Sequence, residues 1–180
     1  MIPQNYELVF SKSQIHASVH TLAETIRPWA NRVLHRTNHA PLALTVLRGG
    51  VFFAADFLRE LGVSCELSFI GAKSYSQLDN SQAPVVELSK FEAEIKDRGV
   101  IVLDDICESG KTFAAISQLL KSKQAFDVRT IALILRDTGK ERVFEPDYGL
   151  TFHGPDWLVG YGLDDCNENS NLPEIYRIKS

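Results

Sequence analysis

The sequence predicts an α/β fold, a mainly parallel sheet covered by helices on both faces, and three observations carry that expectation. Short strand-like runs alternate with longer segments of helical periodicity along the 180-residue chain. The strand-like runs are apolar at consecutive positions rather than at every second one, the pattern of strands buried on both faces. No repeat, low-complexity tract or linker composition divides the chain, so one domain is expected over residues 1–180. Its core is placed at about 37–145, with a small flap or hood built from the C-terminal segment, about 148–180, and the N-terminus.

The elements follow in order. Ser13 is a plausible cap for a first helix whose apolar residues Ile15, Val19, Leu22, Ile26, Trp29 and Val33 recur at steps of three and four on one face. Pro28 is expected to kink or divide it. Residues 42–47, LALTVL, form a strand bounded by Pro41 and an Arg48-Gly49-Gly50 turn, and 51–61 return to helical periodicity. A second strand is expected at 65–70 and a polar loop at 73–83, KSYSQLDNSQA. Residues 85–95 fit a strand or a short helix. Residues 99–103 are a β-branched strand, 112–123 a helix and 128–135 another buried strand. From Tyr148 onward only strand-like fragments remain, at 150–153 and 157–161, which suits a flap beside the sheet.

Composition narrows the partners. A hydrophobic fraction of 44% and a charged fraction of 23% are those of a soluble globule. A net charge of -4 opposes any binding that neutralises many nucleic-acid phosphates, so no nucleic acid is expected. Cys65, Cys107 and Cys166 are scattered, with no C-x-x-C pair, which suits a reducing compartment. No apolar stretch is long enough to span a bilayer and no leader pattern opens the chain, so a cytoplasmic location without membrane partners is expected.

The chemistry concentrates in residues 99–112, GVIVLDDICESGKT. In a parallel sheet ligands bind beyond the carboxyl ends of strands, and Asp104 and Asp105 stand where the 99–103 strand is expected to end. Behind them Glu108, Ser109, Gly110, Lys111 and Thr112 open a helix, a small-residue loop whose backbone N–H groups and dipole can hold a phosphate. The Gly-Lys-Thr triplet invites a P-loop reading, but that motif requires a glycine where Asp105 stands. A receiver domain would carry its acidic pair at an early strand. A solvated acidic strand end explains either aspartate alone but not both beside a phosphate-friendly loop.

An apolar strand, two acids and a small hydroxyl-rich loop at a helix start resemble the phosphoribosyl-pyrophosphate motif of type I phosphoribosyltransferases. The resemblance implies that Asp104 and Asp105 accept from the ribose hydroxyls while Glu108 to Thr112 take the 5-phosphate. Matches from about Leu42 to Pro173 look like the hypoxanthine-guanine phosphoribosyltransferase family. VLRGGVFFAADFLREL resembles its pyrophosphate loop and helix, so Arg48 and Gly49 are expected to bind pyrophosphate, at a peptide that can be cis. Lys73, Ser74 and Tyr75 match its mobile loop over the site. PDWLVGYGLDD resembles its base-recognition stretch, which implies Trp157 stacking on the purine, Leu158 presenting a carbonyl to it, and Asp164, with Asp104 and Asp105, beside magnesium.

The implied reaction transfers ribose 5-phosphate from phosphoribosyl pyrophosphate to a ring nitrogen of hypoxanthine or guanine, with Glu108 taking or sharing the base proton. The implied assembly is a homodimer or homotetramer. Three positions depart from the family pattern: Glu108 replaces an Asp, Arg136 replaces the Lys that donates to the purine 6-oxo group, and Ser170 replaces an Arg at the pyrophosphate. They leave open a preference for xanthine, and a regulator that binds the donor without turnover.

Overall fold

A capping box at Ser11, not Ser13, begins the first helix: the Ser11 hydroxyl accepts from the Gln14 N–H, and the Ser11 N–H donates to Gln14 Oε1 at 2.9 Å. Ser13 only touches the Ser11 hydroxyl, at 3.0 Å. The computed structural model describes residues 2–73, 85–87 and 94–179, without the side chains of Lys73 and 85–87.

In chain order the elements are β1 (Tyr6–Phe10), α1 (Lys12–Thr37), β2 (Leu42–Leu47), α2 (Val51–Leu61), β3 (Glu66–Lys73), β4 (Val85–Glu87), β5 (Gly99–Cys107), α3 (Lys111–Ser122), β6 (Asp127–Asp137), β7 (Asp147–His153), β8 (Leu158–Val159) and β9 (Ile175–Ile178). Pro28 neither ends nor divides α1, which runs on for 26 residues. Ile26, Trp29 and Ala30 are buried around it, and their packing holds the helix across the missing hydrogen bond. The Trp29 indole N–H donates to Asp127 at 2.7 Å, tying α1 to the start of β6.

Strands β3, β2, β5, β6 and β7 pair in parallel in that order, and β4 adds an antiparallel edge to β3. The expectation that 85–95 is strand or helix resolves to strand at Val85–Glu87; residues 88–93 lie outside the described residues. Side chains separate by face as consecutive apolar runs require. Ile101, Leu103, Ile131 and Ala43 pack with α1 and α2, while Val100, Val102, Leu44 and Ala132 pack with Phe113, Ile116 and Leu120 of α3. Helices therefore cover both faces. Each fully buried large side chain contributes roughly 1.5–3 kcal/mol.

The flap is a three-stranded antiparallel sheet in the order β1-β9-β8, joining the N-terminus to the C-terminal segment. It is smaller than expected, because 147–153 belongs to the main sheet. β7 pairs with β6 from Ile131↔Asp147 to Asp137↔His153. Its exposed outer positions gave it the look of a flap strand, whereas it is the edge of the parallel sheet. No helix among the described residues is long and apolar enough to cross a membrane.

Phe57 is wholly buried between α1, α2 and the sheet, so Phe57→Ala is expected to lower unfolding free energy by about 3–5 kcal/mol in urea titrations.

Candidate functional site

β5 does not end before its acids. It continues to Cys107, because Ile106 and Cys107 pair with Ile134 and Leu135 of β6, and the strand carries both carboxylates into the protein. Asp104 and Asp105 are 8% and 9% exposed. The Asp105 N–H donates to Asp104 Oδ1 at 3.0 Å and the Ile106 N–H to Asp105 Oδ1 at 2.8 Å. Burial, and then the charge of Asp105, push Asp104 well above the usual carboxylate range. Burial raises Asp105 as well, and the charge of Asp164 adds to it.

The loop after β2 closes on this pair. The cis peptide lies at Leu47–Arg48, one bond before the Arg48-Gly49 peptide that the resemblance left free to be cis or trans. Gly49 sits against the Asp105 carboxylate so closely that a Cβ there would be 1.8 Å from Oδ2. On its other side a Cβ on Gly162 would be 2.0 Å from the Gly49 carbonyl oxygen. Arg48 reaches the same C-terminal loop: its Nη2 donates to Asn167 Oδ1 at 2.6 Å and lies 4.0 Å from Asp164 Oδ2. Asp164 in turn accepts from the Asn167 N–H at 3.0 Å.

Beyond β5 the chain bends through Glu108 and Ser109 into α3, which starts at Lys111. Gly110 caps it at φ 76, with the Phe144 carbonyl 2.1 Å from where a Cβ would stand. The Ser109 carbonyl accepts from Val143 at 3.0 Å, fixing the loop from outside. No side chain caps α3, and Ser109 Oγ makes only a 3.4 Å contact with the Lys111 N–H. The first-turn N–H groups, with Ser109 and Thr112 beside them, are left for an anion.

On the remaining side stand Trp157, 61% exposed, and Leu158, whose side chain is buried in β8. The Trp157 indole N–H donates to the Asp164 carbonyl at 2.8 Å, which joins the expected base and metal residues in one loop. Arg136, at the end of β6, is buried and lies 3.5 Å from Glu108. The Ser170 carbonyl accepts from the Gly162 N–H at 2.9 Å. Lys73 ends β3; Ser74 and Tyr75 lie outside the described residues.

The structure thus brings together Arg48, Gly49, Asp104, Asp105, the 108–112 loop and Asp164. Asn167, Gly162 and Asp156 are participants that sequence reasoning did not name. Among the described residues the acids do not form a ready three-ligand cluster. A hard divalent cation held by one or two carboxylates and completed by ligand oxygens nevertheless suits buried aspartates that have no Lys, Arg or His ion-pair partner among the described residues. A separate cavity of about 460 Å³, lined by residues such as Ile15, Phe52, Tyr161 and Leu172, holds none of the expected site residues.

The phosphoribosyl transferase domain family matches residues 12–165. The chain is 30% identical over 139 residues to the hypoxanthine-guanine phosphoribosyltransferase of Streptococcus mutans, covering 77% of both chains. It is 30% identical over 139 residues to the bifunctional protein TilS/HprT of Listeria innocua, a match that takes in 77% of this chain but spans only 22% of that protein. Its fold is similar to that of a Trypanosoma cruzi hypoxanthine phosphoribosyltransferase mutant complexed with the product IMP, at a TM-score of 0.86 and 20% identity over 99% of this chain and 94% of that one.

Gly49→Ala forces the Asp105 carboxylate or the loop to move. Calorimetric affinity for phosphoribosyl pyrophosphate is expected to fall about ten- to 100-fold, the loss of one charge-assisted hydrogen bond, with circular dichroism unchanged.

Proposed function

This chain belongs to the phosphoribosyl transferase domain family, and we propose that it works in purine salvage, transferring the 5-phosphoribosyl group from phosphoribosyl pyrophosphate to hypoxanthine or guanine to give IMP or GMP and pyrophosphate. The observation that carries this reading is the buried Asp104–Asp105 pair set directly before the uncapped start of α3. Carboxylates are pure acceptors and suit the two ribose hydroxyls, while the N–H groups of residues 109–112 suit the 5-phosphate.

In this assignment Arg48 and the Gly49 backbone take the pyrophosphate, with Lys73, Ser74 and Tyr75 contributed by the loop after β3. Trp157 stacks on the purine, the Leu158 carbonyl meets its exocyclic edge, and Arg136 donates to the 6-oxo group. The bond from the anomeric carbon to a ring nitrogen forms as the bond to diphosphate oxygen breaks, and Glu108 accepts the proton of that nitrogen. Asp164, Asp104 and Asp105 are the residues that would hold magnesium, which would supply charge neutralisation of the diphosphate. Preorganised charge at the anomeric carbon is the principal catalytic contribution.

With Ser170 in place of an Arg, pyrophosphate binding rests on Arg48 and the loop after β3, and is weaker than in an Arg-bearing relative. Arg136 favours one second reading within the class, a preference for xanthine, because a planar fork is not equivalent to a Lys ammonium. The regulator reading is not favoured, since the similar proteins are enzymes. The same proposal includes a cytoplasmic location and assembly as a homodimer or homotetramer, for which the exposed Val51, Phe52 and Leu67 offer apolar surface.

Initial rates with hypoxanthine, guanine, xanthine and adenine test the assignment. A 6-oxopurine is expected as best substrate and turnover is expected to stop with chelator; adenine as best substrate overturns it. Glu108→Gln is expected to lower kcat about 10²- to 10⁴-fold, the usual range for an acid–base group, with KM for the donor within about twofold. Near-normal turnover removes Glu108 as proton acceptor and leaves the phosphate site standing.

A further inference from the structure

Among the described residues Arg136 is the buried guanidinium that meets the proposed proton acceptor, and its contacts run in two directions. Its Nε lies 3.5 Å from Glu108 Oε2, the side chain of Arg136 being 9% and that of Glu108 61% exposed. Its Nη1 donates to the Asp156 carbonyl at 2.7 Å and, longer, to the Gly154 carbonyl at 3.4 Å. The Phe152 ring lies 5.5 Å below the guanidinium carbon. Past Asp156 the chain of contacts continues into the flap: the Asp156 carboxylate is 3.3 Å from Arg177 of β9, and Arg177 is 3.0 Å from Glu7 of β1.

A pair exposed on both sides would contribute little and hold nothing in place. Here one partner is confined. A buried cation is costly unless it is paired, and Glu108 is the only carboxylate within ion-pair distance of Arg136 among the described residues. Glu108 follows β5 in a bend, and Arg136 is its ion-pair partner among the described residues, so the buried guanidinium draws the exposed carboxylate toward the 154–156 loop. We propose that Arg136 is a positioning residue: it aims the Glu108 carboxylate at the base and ties it to the 154–156 loop, so that placement of the flap bears on proton transfer. Its effect on Glu108 rests on the phosphoribosyl-transfer reading; the physical tie between the two loops does not.

A residue that only contacts the base moves KM for the base and acts alike whatever stands at position 108. A positioning residue acts on kcat through Glu108. Arg136→Met is therefore expected to lower kcat tenfold or more in the native background and less than threefold in Glu108→Gln, while its effect on the base KM is the same in both. Arg136→Lys keeps a charge and a donor but loses the fork, and is expected to recover the base KM and only part of kcat. Equal fold losses of kcat in both backgrounds overturn the proposal.

A second measurement needs no turnover. In amide-resolved NMR of the ligand-free protein, Glu108→Gln is expected to shift the 154–156 resonances, and this response is expected to vanish when Arg136→Met or Arg136→Lys is also present. A response that is absent, or that persists in both double variants, sinks the tie between the loops. If the native protein turns over no purine, the functional reading fails instead, and the resonances still decide the tie.

Discussion

Two adjacent carboxylates buried at the carboxyl end of β5 are the constraint around which this fold is arranged. They enter the protein because the strand does not stop before them, and they are tolerated because neighbouring backbone comes close enough to accommodate them. Gly49 lies between Asp105 on one side and Gly162 on the other, with no room for a Cβ at either glycine. Strand β5 lies between β2 and β6, and these two carry Arg48-Gly49 and Arg136 at the same sheet edge. Three neighbouring strand ends thus supply the residues assigned to pyrophosphate, ribose and base. A parallel sheet delivers all its carboxyl ends to one side, so this grouping follows from topology.

The cations nearby are kept off the acidic pair. Arg48 is drawn to Asn167 and Asp164, and Arg136 to Glu108 and two carbonyls. Asp104 and Asp105 are instead solvated by their own strand, through the N–H groups of residues 105 and 106. Burying two adjacent carboxylates is costly, and in the proposed assignment ribose hydroxyls or a cation would relieve part of that cost.

The sheet and the acidic loop were legible in the sequence, because their signals are local. Unbroken apolar runs mark buried strands, and the two aspartates stand within eight residues of the loop they serve. What escaped was set by distant partners. β7 has mostly exposed or half-exposed positions and reads like a flap strand until its pairing with β6 is seen. Pro28 looked like a break because helix packing around it is invisible in a one-dimensional pattern. Arg48 meets Asn167 across 119 residues, and Arg136 meets Asp156 across 20 through a carbonyl that any residue would supply. No residue type announces such a contact in advance.

The departures from the family pattern divide once their contacts are known. Those at 108 and 136 meet as an ion pair: a longer acid lies 3.5 Å from the Arg136 Nε, while Nη1 of the same guanidinium donates to the Asp156 carbonyl. A Lys ammonium there could point its charge at one of these groups but could not span them rigidly. In the proposed assignment the two substitutions fall together on the purine side. Ser170 has no such counterpart. Its carbonyl holds Gly162 in place, a backbone duty independent of its side chain, and Arg48 is engaged with Asn167. In the proposed assignment, Arg48 is the described cation that would turn from Asn167 to a pyrophosphate in place of the Arg that Ser170 replaces.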